Sequence, residues 1–203
     1  MSTPTPKPID PLLIAVPERI VTDRLVLRCP RPGDGAALNA AVKASLAALQ
    51  PWMPWAQQAP SLEESEALAR GAQAKFLQRL DLVYSMWLHR GDGQETELVG
   101  GTGLHRLDWT VRRFEIGYWC HSAHTGRGLV SEATAALNRL AFDQLHAHRV
   151  EIRMDTRNTA SQRVAQKAGF TLEGTLRGAD HGVDAQPRDL HVYARVRGLE
   201  EPA

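Results

Sequence analysis

Apolar and polar residues alternate along several short stretches of the chain, and this period of two predicts β-strands. The stretch RLVLRC at 24–29 is the first, and FEIGYWC at 114–120 alternates most clearly. The pattern predicts strands at 24–29, 82–90, 98–109, 114–120, 150–155, 170–177 and 188–196. Because the connections between 82 and 120 are short, the strands there are expected to form an antiparallel meander.

Two helices are predicted between the first strand and the meander. An alanine-rich segment after the break Pro-Gly-Asp-Gly at 32–35 favours a helix that ends near Leu49. The segment 61–79 favours a second helix, because Ser61 and Glu64 have the spacing of a capping box.

Two more helices follow the meander. The third carries one apolar stripe, formed by Ala133, Leu137, Leu140, Ala141 and Leu145. The fourth is expected to begin with a capping box of Thr159 and Gln162 and to end at Gly169. This order predicts an α+β fold with a mixed, mostly antiparallel twisted sheet flanked by helices. The unit from 114 to 155 needs a right-handed crossover if its strands are parallel neighbours.

The length of 203 residues favours one domain. Five prolines occur by Pro17, so residues 1–18 are predicted to form a flexible N-terminal arm. The domain is expected to occupy 19–197, and 198–203 to form a short tail. An exposed strand edge near 188–196 would support a homodimer.

Composition narrows the class of partner. The chain has 24 basic and 23 acidic residues, a net charge of +1, which disfavours nucleic acid as a partner. No apolar run is long enough to span a bilayer, and the N-terminal stretch is not typical of a signal peptide. Cys29 and Cys120 match no metal-binding spacing. A cytoplasmic protein with reduced thiols, no metal, and neither a membrane nor a nucleic-acid partner is expected.

The segment HTGRGLVSEA, His124–Ala133, separates a predicted strand from a predicted helix. Glycines on either side of Arg127 would let successive N–H groups face one concavity, and the helix start adds a positive dipole end. Such a turn suits a pyrophosphate, although a plain strand-to-helix turn is an equal alternative. No lysine follows Gly128, as a P-loop requires, and Ser131 replaces the third glycine of a dinucleotide fingerprint.

Three segments together resemble the GNAT superfamily of N-acetyltransferases, and within it the RimJ/RimL branch. EIGYWC followed by HTGRGLVSEA is similar to the family's acetyl-CoA strand and loop, Q/R-x-x-G-x-G/A. RNTASQRVAQKAGF at 157–170 resembles its second motif, N-x-x-S-x-x-V-x-x-K-x-G-F, and TDRLVLR resembles the branch's opening strand. The resemblance covers roughly residues 20–197, so it implies that the single domain is an acetyltransferase domain.

Four positions bear on how typical this chain is. Thr125 stands where the family has Gln or Arg, and Val130 where it has Gly or Ala. Ala165 occupies the position of the family's common tyrosine acid, and Ser161 that of a frequent alanine. The last two changes are typical of the RimJ/RimL branch.

The resemblance implies a site for acetyl-CoA, with coenzyme A released as product. The loop N–H groups would hold its pyrophosphate, and the strand end would pair with the pantetheine arm. The implied cofactor-binding residues are Trp119, Cys120, His121, Thr125, Gly126, Arg127, Gly128, Leu129, Val130, Ser131, Asn158 and Ser161. From the residues alone, Asn158 is equally a helix N-cap.

Three side chains are candidates for catalysis. Glu115 and Glu173 are candidate bases for the acceptor amine, and Ser161 is a candidate donor to the departing thiolate. Glu115 is equally an ion-paired strand residue, with Arg112 or Arg113 as partner. Ser161 is alternatively a first-turn residue that bonds to the local backbone.

The acceptor side is the least defined. Trp52 and Trp55, in PWMPW, would wall the acceptor pocket or else pack the helix pair onto the sheet. His105, with Asp108 and His121, would line the same side. Cys120 is an alternative acyl-carrying nucleophile, but a lone cysteine at a strand end is more often inert.

The predicted function is transfer of an acetyl group from acetyl-CoA directly to a primary amine. The acceptor is a peptide N-terminus, such as that of a ribosomal protein, or a small amine. The alternative is a catalytically silent module that binds coenzyme A or a protein on the same scaffold. A dinucleotide-dependent oxidoreductase is disfavoured, because the meander does not match its fold.

Overall fold

A computed structural model describes residues 10–200. The strands are β1 (Arg19–Val21), β2 (Leu25–Arg28), β3 (Leu82–Leu88), β4 (Glu97–Asp108), β5 (Arg113–Cys120), β6 (Arg149–Asp155), β7 (Thr171–His181) and β8 (Pro187–Val196). The helices are α1 (Gly35–Leu49), α2 (Leu62–Leu77), α3 (Leu129–Arg139) and α4 (Thr159–Lys167). The strands form one sheet in the order β1-β2-β3-β4-β5-β6-β8-β7. The predicted α+β class, with its antiparallel meander, is confirmed.

The centre of the sheet contains a parallel pair that separates along its length. β5 pairs with β6 over Arg113–Glu115 and Arg149–Glu151. Beyond these residues β5 continues to pair with β4 as far as Cys120, while β6 continues to pair with β8 as far as Asp155. Because each strand follows its outer neighbour, a gap opens between them towards their carboxyl ends.

The main core lies between the sheet and α3. Leu104, Phe114 and Ile116 are at most 1% exposed and belong to one buried cluster with the apolar stripe of α3. The predicted stripe is confirmed, and it continues past α3 into a π-helical turn, Leu140–Gln144. The even-numbered residues of β5 therefore face α3, which leaves the odd-numbered residues for the opposite face of the sheet.

Details of the helix and strand ends differ from the sequence predictions. α2 begins with the predicted capping box, but the N-cap of α4 is Asn158, whose Oδ1 accepts the Ser161 N–H at 3.0 Å. The predicted Thr159–Gln162 box is wrong, because the chain enters the helix one residue earlier. β8 lies between β6 and β7, so the predicted strand edge at 188–196 is also wrong. Three-residue β1 is too short to show a period.

The structure describes only part of the predicted N-terminal arm, residues 1–18. Residues 1–9 lie outside the described residues, whereas residues 10–18 lie against the domain. The Tyr84 hydroxyl donates to the Pro17 carbonyl at 2.7 Å, and Val16 is buried in the core. Of the tail, Glu200 accepts the N–H of Val196 at 3.0 Å, and 201–203 lie outside the described residues. Among residues 10–200, no helix has both the length and the apolarity to cross a bilayer.

Candidate active site

A cleft of about 1030 Å³ opens where β5 and β6 separate. Its walls come from α1, α2, β3–β6, the start of α4 and the β7–β8 hairpin. Several residues predicted from the sequence line it, namely Trp52, Trp55, His105, Glu115, Trp119, Asn158 and Ser161. The parted strands therefore bring β5, which leads into the first motif, and the start of α4 from the second motif to one cavity.

The glycine turn has the backbone geometry that an anion site needs. Gly126 and Gly128 have φ of 75° and 79°, in the left-handed region that a side chain disfavours. Gly128 is the N-cap of α3 and has no side chain to bond the first N–H groups. The first helical hydrogen bond of α3 is donated by the Glu132 N–H to the Gly128 carbonyl at 3.0 Å. The backbone N–H groups of the preceding residues in the first turn have no helical acceptor and are left for another one.

The two unusual loop residues do not block this concavity. Val130 packs against the hydrophobic core, so its branched side chain points away from the turn. The Thr125 hydroxyl donates to the Ser122 carbonyl at 3.0 Å and steadies the preceding turn. Both side chains therefore support the conformation of the loop without entering the concavity.

Arg24, the residue just before β2, fastens the loop from outside. Its Nη1 donates to the Arg127 carbonyl at 2.9 Å, and its Nε to Glu132 at 2.7 Å. Burial acts to raise the pKa of Glu132, but hydrogen bonds from Thr22 and Arg24 outweigh it and lower that pKa. The carboxylate is thus held ionised, and Arg24 brings a second guanidinium beside the turn. Sequence reasoning missed Arg24, because its partners are more than a hundred residues away.

Arg127 itself is oriented by a histidine. Its Nη1 lies 2.9 Å from Nδ1 of His124, and Nε2 of that ring lies 2.9 Å from Glu97 on β4. His121 caps the same turn, since its Nδ1 accepts the Ala123 N–H at 3.1 Å. Arg127, the predicted cation of the loop, is therefore linked through His124 to Glu97 of the sheet.

Ser161 sits at the opening between the strands, buried beside a tyrosine. Its hydroxyl lies 2.8 Å from the hydroxyl of Tyr118 on β5. Burial raises the pKa of Tyr118 to about 12, while the hydrogen bond with Ser161 acts to lower it. Both side chains line the cleft. Tyr118 was missed because its alternation with Phe114 and Ile116 marks it as a core residue.

Glu115 faces the cleft between two arginines. Its Oε2 lies 3.3 Å from Nε of Arg106 and 3.6 Å from Nε of Arg153. Burial raises the pKa of the Glu115 carboxyl, and Arg106 and Arg153 act against that rise.

The expected ion partners of Glu115 are wrong. Arg112 donates to the Leu145 carbonyl at 2.7 Å, and Arg113 lies 3.8 Å from Asp108. Sheet register decides the partners, because it places β4 and β6 on either side of Glu115.

Glu173 is separated from this group. It lies on the edge strand β7, where Nη1 and Nη2 of Arg149 donate to its two oxygens at 2.7 and 2.6 Å. These hydrogen bonds lower the pKa of Glu173. The structure thus brings Glu115 and Ser161 to the cleft and leaves Glu173 outside it.

Aromatic rings cover the far side of the cleft. Trp55 and Trp119 meet edge to face, with centroids 6.1 Å apart. Trp119 lies over Gly101, where a Cβ would come 2.5 Å from its Nε1. The ring thus occupies the same sheet face as Glu115. Burial raises the pKa of the Cys120 thiol to about 11, so this cysteine is held as the weakly nucleophilic thiol.

His105 lines the cleft on the same face, and its Nδ1 lies 2.6 Å from Oδ1 of Asp81. Asp108 instead accepts N–H groups from Thr110 and Val111 in the β4–β5 turn. Within residues 10–200, no group of three or more His, Cys, Asp or Glu side chains is placed to hold a metal ion.

Several known proteins are similar to this chain in sequence and in fold. A family model described as an acetyltransferase (GNAT) domain matches residues 24–171. The ribosomal-protein-serine acetyltransferase of Escherichia coli (strain K12) is 35% identical over 103 residues, which are 51% of this chain and 57% of that protein. The match therefore spans little more than half of that relative.

Longer matches have lower identity. The putative ribosomal N-acetyltransferase YdaF of Bacillus subtilis (strain 168) is 26% identical over 177 residues, 87% of this chain and 93% of that protein. A structure of RimL, described as a ribosomal α-N-protein acetyltransferase in complex with coenzyme A, has a TM-score of 0.76 at 25% identity. It covers 87% of this chain and 96% of its own. Since the family model covers most of the sequence, this chain belongs to the GNAT acetyltransferase family.

Proposed function

We propose that this protein transfers the acetyl group of acetyl-CoA directly to the primary amine of a peptide N-terminus. The observation that carries the proposal is the separation of β5 and β6 after three paired residues. It leaves backbone groups of the β5 end without a β6 partner and sets them near the N-terminus of α3. An amide-bearing arm that ends in a pyrophosphate fits this arrangement.

The cofactor would be held chiefly by backbone. N–H groups of Arg127–Ser131 would bind the pyrophosphate, aided by the guanidinium groups of Arg24 and Arg127. The β5 edge around Trp119 and Cys120 would pair with the pantetheine amides. Asn158 would contribute by fixing the start of α4, because its side chain serves as the N-cap. Because backbone groups would make most of the contacts, the unusual side chains of Thr125 and Val130 would not prevent cofactor binding.

The transfer step needs a nucleophile, a carbonyl and a leaving group in line. The neutral amine attacks the acetyl carbon, the C–S bond breaks, and the thiolate takes a proton. Ser161 is the proposed donor to that thiolate, with Tyr118 hydrogen-bonded behind it at 2.8 Å. Glu115 is the carboxylate beneath the acceptor amine, and Glu173 is left to its pair with Arg149.

The acceptor assignment rests on the cleft and on the relatives. Two of these relatives are named as ribosomal acetyltransferases, and the RimL structure as an α-N-protein acetyltransferase. Trp52, Trp55 and Trp119 line the cleft, whose volume is about 1030 Å³. A free peptide N-terminus, being a cationic amine on an extended chain, would meet the carboxylate floor and aromatic wall together.

Thiol release from acetyl-CoA tests the proposal. The protein is given peptides with free N-termini, their N-acetylated counterparts, and small amines such as polyamines. Release that depends on a free peptide N-terminus is expected, with the acetylated product confirmed by mass. Coenzyme A binding without acceptor-dependent release would support the silent binding module instead. Preference for the small amines would overturn the peptide assignment.

A further inference from the structure

The floor of the cleft holds an imidazole in a fixed orientation. Nδ1 of His105 lies 2.6 Å from Oδ1 of Asp81, the residue that precedes β3. A carboxylate can only accept, so Nδ1 carries the hydrogen and Nε2 keeps its lone pair. This geometry leaves Nε2 as a proton acceptor whose direction is set by Asp81.

Two glycines make room for the ring. A Cβ at Gly103 would lie 3.0 Å from Nε2 of His105, and a Cβ at Gly117 would lie 2.9 Å from its Cδ2. The imidazole therefore lies across the bare backbone of β4 and β5 and leans towards the carboxyl end of β5. The His105 side chain is 33% exposed, so the cleft reaches it.

Charged groups from several elements surround the ring. Asp81, just before β3, lies against its Nδ1, and Glu115 is the cross-strand neighbour of His105 on β5. Arg106 and Arg153 contact Glu115, and Glu64 of α2 lines the same cleft while its carboxylate caps Ser61. Two carboxylates thus flank the position where an imidazolium would form.

We propose that His105, oriented by Asp81, takes the proton from the acceptor ammonium before transfer. This inference rests on the proposed function and names its general base. One ammonium proton passes to Nε2, and the freed lone pair of the amine forms the C–N bond as the C–S bond breaks. The nitrogen then loses its second proton, which replaces the proton that Ser161 gives to the thiolate, so that an amide and a thiol result. His105 then returns its proton to solvent through the cleft. Glu115 acts as counter-charge to the imidazolium.

Glu115 is the competing candidate for the same task. Its Oε2 is buried without a hydrogen-bond partner and faces two guanidinium groups, and its side chain is 17% exposed. A carboxylate held between two cations is less available to an incoming ammonium than a ring nitrogen at the surface of the cleft. The geometry therefore assigns proton transfer to His105.

The test compares His105→Gln with Glu115→Gln on peptide acceptors. His105→Gln is expected to lower kcat by about 10²–10⁴-fold, the usual contribution of a positioned base, with little change in the KM for acetyl-CoA. Asp81→Asn should lower kcat by roughly tenfold or more, because the tautomer is no longer fixed. His148→Gln, at an exposed histidine away from the cleft, is the matched control and should behave as wild type.

A second acceptor separates chemistry from folding. A peptide that presents a hydrazide, whose terminal nitrogen is already neutral at neutral pH, needs no base. His105→Gln should acetylate it at nearly the wild-type rate. If Glu115→Gln shows the large loss and hydrazide rescue while His105→Gln keeps its kcat, the inference is overturned. Wild-type protein that acetylates neither peptide nor hydrazide would overturn the proposed function itself.

Discussion

The proposed cofactor end and the acceptor end of the site are built in different ways. At the proposed cofactor end, Gly126 and Gly128 turn the backbone so that N–H groups are left for an anion, and Arg24 fastens the loop from outside. At the acceptor end, glycines at 103 and 117 clear the backbone so that the side chains of Asp81, His105 and Glu115 can act. The same residue type thus exposes backbone in one region and makes room for side chains in the other.

This difference predicts which substrate each change affects. The cofactor end should fail when backbone geometry is disturbed, whatever the new side chain offers. The acceptor end should fail when a functional group is removed, even where shape is kept.

After His105→Gln, the largest effect is expected from Gly128→Val. A β-branched residue at φ of 79° is strained by about 1–2 kcal/mol, and the loop would relax towards negative φ. The KM for acetyl-CoA should rise by roughly tenfold or more, since 1.4 kcal/mol corresponds to a factor of ten. The control is Gly71→Val, in α2 with open space around it. Unchanged cofactor affinity in Gly128→Val would contradict the loop assignment.

A moderate effect is expected from Glu115→Gln on stability. The folded-state pKa of Glu115 is raised by burial, so wild-type stability decreases as pH rises through that pKa. Replacing the carboxylate should therefore raise Tm at neutral pH, because the cost of burying the charge is removed. The gain should vanish in acid, where the wild-type carboxyl is protonated.

Glu173→Gln is the control, and its effect on Tm is expected to have the opposite sign. Arg149 lowers the pKa of Glu173, so the carboxylate stabilises the fold at pH values above the ordinary glutamate pKa. That stability is lost as pH falls through the lowered pKa. Thermal melts over a pH series should show a lower Tm for Glu173→Gln at neutral pH. A fall in Tm for Glu115→Gln as well would mean that the arginine contacts outweigh burial.

The smallest effect is expected from Cys120→Ala, between the two ends. Its thiol pKa of about 11 leaves little thiolate at neutral pH, and direct transfer needs no acyl-enzyme. Steady-state kcat should stay within about twofold of wild type. Intact mass of wild-type protein mixed with acetyl-CoA alone should show no acetylated species. A stable adduct that Cys120→Ala abolishes would establish covalent transfer instead.

Elements with a local signal were predictable. The strand periods, the α3 stripe, the Ser61–Glu64 capping box and the glycine turn each depend on residues close in sequence. Their physical causes, alternation, capping and positive φ, act within one element. For α4 the sequence offered two caps, Asn158 and Thr159, and the structure confirms Asn158. Both residues are good caps, and only the chain direction at the end of β6 selects between them.

The side-chain partners were not predictable from such patterns. Glu115 and Glu173 look alike in sequence, yet one faces the cleft between Arg106 and Arg153 and the other is paired with Arg149 at the sheet edge. Tyr118 has the period of a core residue, and its contact with Ser161 joins β5 to α4. Each of these contacts depends on strand order and register.

The sequence by itself determined the elements and the position of the glycine turn, because both depend on residues close together in the chain, and its motifs carried the resemblance to the family. Only the tertiary structure decided which titratable groups meet. Asp81 precedes β3, while His105 and Glu115 lie on β4 and β5, and hydrogen bonding across the sheet brings the three together. That alignment depends on pairings between residues far apart in the chain. The alternation of apolar and polar residues within one strand carries no information about such pairings.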